Sequence, residues 1–310
     1  MKVSYKLHWK TRLLDLLLKS AKPLEQMNRD ELKSTAQQPV SPLMQRIFAG
    51  KKIDISRVVE QNVSGRHGEI PVRLYYPSKS QHLPLIVYFH GGGWVYGNFD
   101  THDYLYRRLA RDANSIVMAI NYRLAPFYQY PTALEDCFDG LVWAVNNLGE
   151  AIDSERITVM GDSAGGNLAT ALCLMSRDFA ISKQVLLYPV LSGKLTQPST
   201  RENSDAPVLT TERMQFFVDC YAKDDSDIES ALFSPLFAED MSNLPSTLII
   251  TAQYDPLHDQ AVEYAQRLKD AGVAVKLLDY PHTIHGFISF PTFCPDALPA
   301  LAEVVRFVRK

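Results

Sequence analysis

The chain has 310 residues, of which 46% are hydrophobic and 22% charged, with 32 Lys and Arg against 35 Asp and Glu. This composition excludes a disordered or fibrous protein. The net charge of −3 argues against nucleic-acid binding, which needs a basic excess. A chain of this length forms two domains or one large α/β domain with insertions.

The N-terminal fifty residues are predicted to form helices and loops. The apolar run from Leu13 to Leu18 is interrupted by Asp15, ended by Lys19 and followed by no small-residue cleavage site. These features argue against a signal peptide, and the run is shorter than the roughly 20 apolar residues of a membrane span. We interpret it as an amphipathic helix that packs on a later part of the chain. We expect a cytoplasmic protein that binds no membrane.

From about residue 53, β-rich runs alternate with helical stretches. The later runs are nearly continuous in Val, Ile and Leu, which is typical of parallel strands covered on both faces. This alternation predicts an α/β fold with a mostly parallel, doubly wound sheet whose first two strands are antiparallel. The predicted strands are 58–63, 71–76, 85–89, 116–120, 157–160, 185–188, 248–251 and 273–280, and the helices are roughly 101–112, 132–148, 164–177 and 257–271.

About 60 residues between Tyr188 and Leu248 break the alternation. They are rich in Ser, Thr and Asp, with a helical patch around 210–221, and they are too long for an ordinary loop. We interpret them as an insertion over the carboxyl edge of the sheet, where open α/β sheets bind ligands. The four cysteines are far apart in sequence and form no C-x-x-C motif, which favours free thiols.

The segment Gly161-Asp162-Ser163-Ala164-Gly165-Gly166 lies between a predicted strand and a predicted helix. This is a G-x-S-x-G motif in the strand–turn–helix context of a nucleophile elbow, in which a sharp turn projects the serine hydroxyl above the sheet edge. The alternatives are a chance match or a phosphate-binding loop, and no Lys follows as in a Walker A loop. The motif predicts Ser163 as a nucleophile.

A second motif, His90-Gly91-Gly92-Gly93-Trp94, follows the strand at 85–89. Consecutive glycines leave backbone N–H groups bare, and such amides bind the oxyanion of a tetrahedral intermediate. The alternative is a flexible loop without a catalytic role. We predict an oxyanion hole formed by the amides of Gly92, Gly93 and Ala164, with His90 supporting the loop rather than titrating.

A serine nucleophile needs a base that is held in place by an acid, and in this fold class the order is Ser, then Asp or Glu, then His. Asp255 lies just past a strand end, whereas Asp259 falls one turn later and suits the first turn of a helix. His258 falls inside the same helix. The spacing alone does not separate His282 from His285 as the base.

Five ordered motifs resemble the hormone-sensitive-lipase-like branch of the α/β-hydrolases, also called family IV esterases. The resemblance runs from about residue 70 to the C-terminus. It aligns the base with His285, since the motif reads His-Gly-Phe. The chain departs from the family at Asn121, Phe127 and Gln253, where acids are common, so local salt bridges are expected to be missing. The motifs are His90 to Trp94, Asn121 to Pro126, Gly161 to Gly166, Tyr254 to Leu257 and Ile284 to Phe287.

The resemblance implies an eight-stranded α/β-hydrolase core in residues 51–190 and 241–310. It also implies a helical cap built from residues 1–50 and 191–240. It implies a serine carboxylesterase with the triad Ser163, Asp255 and His285, which acts on small esters of short acyl chains. We expect no metal or cofactor, because the sequence shows no clustered His, Asp and Glu with the spacing of metal ligands. The sequence leaves open whether the protein is a monomer or a homodimer. An amidase or arylformamidase is the alternative on the same triad. A non-catalytic receptor on this fold is disfavoured, because such receptors lose the histidine.

Aromatic side chains near these motifs are candidates for an apolar substrate pocket. The same side chains suit a protein core equally well, and the sequence does not separate the two interpretations. The candidates are Trp94, Tyr122, Tyr188, Phe216 and Phe287, with Tyr96 and Phe217 beside them.

Overall fold

The computed structural model describes residues 5–176 and 179–310. In this part of the chain, eight strands form one sheet in the order β1-β2-β4-β3-β5-β6-β7-β8. The strand pairs from β4 to β8 are parallel, whereas β1–β2 and β2–β4 are antiparallel. The predicted fold class is therefore confirmed. The strands are β1 Arg57–Gly65, β2 Gly68–Tyr76, β3 Leu83–Phe89, β4 Ile116–Ile120, β5 Ile152–Asp162, β6 Ile181–Leu187, β7 Ser246–Tyr254 and β8 Val275–Ile284.

Helices precede the sheet, connect its strands and close the chain. The connecting helices that the sequence predicts are present within a few residues, but the last helix was not predicted. Among the described residues, no helix is both long and apolar enough to cross a bilayer. The helices are α1 Trp9–Leu18, α2 Arg29–Gln37, α3 Pro42–Ala49, α4 Asp103–Ala113, α5 Thr132–Asn147, α6 Ala164–Met175, α7 Pro198–Glu202, α8 Thr211–Tyr221, α9 Asp225–Glu229, α10 His258–Asp270 and α11 Ala297–Arg309.

The sheet carries a hydrophobic core on each face. In β3, Leu85, Val87 and Phe89 belong to the core that includes α5, α6 and α10, and the alternating Ile86 and Tyr88 belong to the core that includes α4 and α11. Because successive side chains of a strand point to opposite faces, both sets are buried only where helices cover both faces. The nearly continuous apolar runs of the sequence follow from this double cover.

The N-terminal helix α1 only partly follows the expectation. Leu14 is fully buried, but Leu13, Leu16 and Leu17 are exposed. The prediction that the apolar side of this helix packs on a later part of the chain is therefore wrong for these three leucines. Its contact with later residues is made by Leu14, which belongs to the core that includes α4 and α11, and by the hydrogen bond that the Thr11 hydroxyl donates to the Phe293 carbonyl at 3.0 Å.

The four strands β3, β5, β7 and β8 end next to the motifs that carry chemistry. They run in the same direction, so their carboxyl ends meet at one edge of the sheet. Phe89 precedes the glycine loop, Asp162 precedes the serine, Tyr254 precedes the predicted acid and Ile284 precedes the predicted base. The topology therefore brings together side chains that are more than a hundred residues apart.

Candidate active site

Ser163 stands in the tight turn between β5 and α6. Its backbone has φ 54° and ψ −119°, a conformation that non-glycine residues rarely adopt. A side chain at Gly161 would overlap the Gly165 carbonyl, and one at Gly165 would overlap the carbonyl of Phe89. The turn therefore forms only with glycine at both positions, which explains the two glycines of the G-x-S-x-G motif.

A hydrogen-bonded line joins the three predicted triad residues. The Ser163 hydroxyl lies 2.9 Å from Nε2 of His285, and Nδ1 of the same ring lies 2.7 Å from Oδ2 of Asp255. The other carboxylate oxygen of Asp255 accepts the amide of Leu257 at 2.8 Å, which fixes the orientation of the carboxylate. All three side chains are buried, and Ser163 is only 8% exposed.

The other candidates for acid and base lie elsewhere. His258 lies between Asp259 and Asp279, with ring-to-carboxylate distances of 2.8 and 3.3 Å. The hydrogen bond to Asp279, together with that to Asp259, outweighs burial and raises the pKa of His258 to about 9. His282 is exposed at φ 59°, and its ring lies 3.4 Å from the hydroxyl of Tyr254. The geometry thus separates His285 from the two other histidines.

The glycine loop follows β3 and carries two of the amides that are predicted to form the oxyanion hole, those of Gly92 and Gly93. Among the described residues, neither Gly92 nor Gly93 donates its amide to a backbone carbonyl. Ala164 is the first residue of α6, where helical amides have no intrahelical partner. The loop is close-packed, since a side chain at Gly93 would overlap the ring of Phe217 from α8. The three amides proposed for the oxyanion hole therefore remain available to a ligand.

Asp162 ties the glycine loop to the serine turn, a role that the sequence analysis missed. Its buried carboxylate accepts hydrogen bonds from the Tyr88 hydroxyl and the Gly91 amide, both at 2.9 Å, and lies 3.1 Å from Nε2 of His102. Burial opposes ionisation of this carboxylate, but the His102 and Tyr88 contacts outweigh it and keep the pKa of Asp162 below its usual value. The Asp162 side chain therefore links the glycine loop to the turn that carries Ser163.

His90 is fully enclosed behind the same loop. Its Nδ1 lies 2.8 Å from the Gly91 carbonyl, and its ring stacks on Tyr122 at 4.3 Å. Burial, together with the neighbouring His102, lowers the pKa of His90 to about 4. His90 is thus neutral near pH 7 and makes the contacts of a supporting residue.

The aromatic pocket candidates divide into two groups. Trp94 is fully buried and stacks on Tyr221 at 4.6 Å, and the hydroxyl of Tyr122 donates to the His90 carbonyl at 2.6 Å. Phe287 is also fully buried. These three side chains are at most 2% exposed and pack as core residues do, and their contact with a substrate stays a prediction.

The remaining pocket candidates lie close to the triad or stay partly exposed. Tyr188 is buried with its ring 4.9 Å from that of His285, so it holds the imidazole in place. Phe216 is partly exposed on α8 and stays a prediction. Val208, which the sequence analysis missed, comes close to Gly286, the residue after the base. No sequence motif distinguishes Val208 from other residues of the insertion.

Known proteins share this architecture. The sequence matches the α/β hydrolase fold family over residues 86–289. The chain belongs to the α/β-hydrolase family. It is 39% identical over 227 residues to an arylesterase of Saccharolobus solfataricus, covering 72% of this chain and 74% of that relative. It is 36% identical over 274 residues to an ethyl acetate hydrolase of Pseudomonas putida, covering 85% and 86%. Among solved structures, a hyperthermophilic esterase from the archaeon Pyrobaculum calidifontis matches with a TM-score of 0.86 and 34% identity, over 100% of this chain and 98% of that chain.

These relatives place the α/β-hydrolase in the hormone-sensitive-lipase-like branch and confirm the resemblance. Phe127 and Gln253 stand at two positions where the branch commonly has acidic residues, and both side chains make other contacts. The ring of Phe127 lies 5.1 Å from the Arg29 guanidinium, and the side-chain oxygen of Gln253 accepts the amide of His282 at 2.9 Å. Neither contact involves a triad residue.

Proposed function

We propose that this α/β-hydrolase hydrolyses esters of short carboxylic acids through an acyl-enzyme on Ser163. The protein is a carboxylic ester hydrolase, like the arylesterase, carboxylesterase and ethyl acetate hydrolase that it resembles. The observation that carries the proposed mechanism is the continuous line from the Ser163 hydroxyl through His285 to Asp255 beside three free amides.

In the proposed cycle, His285 takes the proton of the Ser163 hydroxyl while the oxygen attacks the ester carbonyl. The amides of Gly92, Gly93 and Ala164 hold the oxyanion. The imidazolium then protonates the leaving alcohol, and a water molecule repeats the sequence on the acyl-enzyme. Asp255 accepts the hydrogen bond of the Nδ1–H group of His285 and so holds the ring in the tautomer whose Nε2 accepts a proton.

The preference for short acyl chains is supported by the crowding around the nucleophile. The ring of Phe217 lies against Gly93 of the oxyanion loop, and Val208 lies close to Gly286. Ser163 itself has only 8% of its surface exposed. A relative whose name specifies ethyl acetate agrees with a site that accepts a small acid.

The test is a series of nitrophenyl esters from acetate to palmitate on the wild-type protein and on Ser163→Ala. We expect turnover to be highest with acetate to hexanoate. We expect Ser163→Ala to lose at least about a thousandfold in kcat, since removal of a triad member leaves only oxyanion-hole catalysis.

Covalent labelling by an organophosphate provides the matched control. The wild-type protein should take up one equivalent at Ser163, and the alanine variant should take up none while it unfolds at the same denaturant concentration. A folded alanine variant with full activity would overturn the assignment of the nucleophile. Faster turnover of palmitate than of butyrate would overturn the proposed chain length, and faster turnover of an anilide than of the matched ester would favour an amidase.

A further inference from the structure

An apolar surface on the N-terminal helices faces solvent. We name it the α1–α3 face. On α1, its residues follow the spacing i, i+4, i+7 and i+8, which places them on one side of a helix with 3.6 residues per turn. An apolar stripe of this kind normally packs against a core, but these side chains are between 38% and 67% exposed. The α1–α3 face consists of Trp9, Leu13, Leu16 and Leu17 of α1 with Leu43, Met44 and Ile47 of α3.

The two helices are held against the same short segment of the protein. Thr11 of α1 donates its hydroxyl to the Phe293 carbonyl at 3.0 Å. Phe48 of α3 packs its ring 5.8 Å from the rings of both Phe290 and Phe293. Both helices are therefore anchored to the same four residues, 290–293.

Basic residues border the apolar stripe. At 100° per residue, Lys10 falls beside Leu17 at one edge of the α1 stripe, and Arg12 falls beside Leu16 at the other. Both basic side chains are exposed. The acid on this helix, Asp15, is paired with Lys19 at 2.7 Å. The polar borders of the stripe are therefore positively charged.

The charge of the whole N-terminal segment is opposite to that of the rest of the chain. Residues 1–52 contain 11 Lys and Arg against four Asp and Glu, whereas the remainder contains 21 against 31. Where α3 ends, a shallow depression joins Lys51 and Lys52 of this segment to Arg108 and Arg111, which both contact Asp112. The depression is lined by residues 49–54 together with Tyr104, Arg108 and Arg111.

From the apolar stripe, its basic borders and the charge asymmetry, we propose that the α1–α3 face docks onto the surface of an anionic lipid bilayer. Trp and Leu on one side of a helix with Lys and Arg at its borders are the signature of helices that lie in the lipid interface. The apolar side chains would enter the headgroup boundary while the basic ones contact lipid phosphates. This proposal replaces the expectation from the sequence that the protein binds no membrane.

The test is flotation of the full chain with vesicles at low and high salt. We expect binding to vesicles that contain phosphatidylglycerol and little binding to pure phosphatidylcholine, with a loss of binding at high salt because exposed charges are screened. Lys10→Glu with Arg12→Glu should weaken binding by at least roughly tenfold, since each basic residue near an anionic surface contributes about fivefold. Leu16→Glu should also abolish flotation.

Matched controls lie on other surfaces. Leu298→Glu changes an apolar residue of α11 that is 39% exposed, and Lys79→Glu changes an exposed lysine. Both controls should bind like the wild-type protein. All variants should hydrolyse a soluble nitrophenyl ester at the wild-type rate, which shows that they are folded and separates this test from that of the esterase mechanism.

Three outcomes would overturn the proposal. The first is equal binding to neutral and anionic vesicles, and the second is Leu16→Glu floating like Leu298→Glu. The third is a wild-type dimer that Leu16→Glu converts to a monomer without any vesicle binding, since the face would then join two copies of the chain.

Discussion

The serine turn and the helix α1 are built in opposite ways. Around Ser163, a strained backbone is held by buried glycines and by a carboxylate with three hydrogen-bond partners. Along α1, only Thr11 and Leu14 are buried, and four apolar side chains stay exposed. Strained conformations persist only where the surroundings over-determine them. The comparison teaches that close packing in this protein is concentrated where atoms must be placed accurately.

The largest effect is expected from a methyl group in the serine turn. Gly165→Ala would drive its Cβ into the Phe89 carbonyl, so either the turn or β3 must move. We expect a loss of at least about a hundredfold in kcat/KM, and a fall of roughly 3 kcal/mol in the free energy of unfolding from backbone displacement. Ester kinetics and urea unfolding measure the two effects.

Gly149→Ala is the control for this substitution. Unlike Gly165, Gly149 has a positive φ, of 49°, but no atom lies within 4 Å of the added carbon. Gly149→Ala should lower the free energy of unfolding by about 1 kcal/mol, which is the cost of a side chain on a left-handed residue. It should leave the activity unchanged. If the two alanine variants behaved alike, the tight packing assigned to the turn would be wrong.

A smaller effect is expected at the carboxylate that joins the turn to the glycine loop. Asp162→Asn keeps the shape but turns one oxygen into a donor facing His102, which loosens the loop at Gly91. We expect kcat to fall by about tenfold to a hundredfold with KM nearly unchanged, because the loop acts on the oxyanion and not on ground-state binding.

The pH dependence of stability provides a second readout for Asp162. Since the pKa of Asp162 is lowered in the folded protein, its contribution is fully present above the ordinary value near 4 and is lost as the pH falls through the lower folded value. The stability gap between the wild-type protein and Asp162→Asn should therefore close in acid. Asp103→Asn, at another buried carboxylate that contacts Arg107 at 2.6 Å, should lose stability without a change in kcat. A kcat loss of equal size in that control would contradict the positioning role.

The sheet and the serine motif could be predicted from the sequence because their causes are local. A strand covered on both faces requires continuous apolar residues, and a sharp turn requires glycines at fixed spacing. The contacts of Asp162 could not be predicted, since Tyr88 and His102 reach it from 60 or more residues away. The spacing does not separate His282 from His285, which share one short segment, whereas the resemblance to the family and the contacts of the His285 ring with Ser163 and Asp255 do.

The exposure of α1 escaped prediction for a different reason. Hydrophobic periodicity shows that a helix has an apolar side, but it does not show what covers that side. The same spacing describes a helix packed on a core and a helix lying on a lipid surface. The basic residues beside the stripe are the feature that favours a lipid surface. Only the structure shows that Leu13, Leu16 and Leu17 are exposed.

The smallest effect is expected on the exposed side of α1, where two leucines of one helix make a matched pair. Leu14 is fully buried and Leu16 is 67% exposed. Leu14→Ala should lower the free energy of unfolding by about 2–5 kcal/mol, because it leaves a cavity. Leu16→Ala should change it by less than about 0.5 kcal/mol, since the side chain has little to lose on unfolding. Denaturant unfolding in the absence of lipid measures both. A large loss at Leu16 would mean that the α1–α3 face is already covered in solution, and it would remove the contrast between the accurately packed serine turn and the open N-terminal helices.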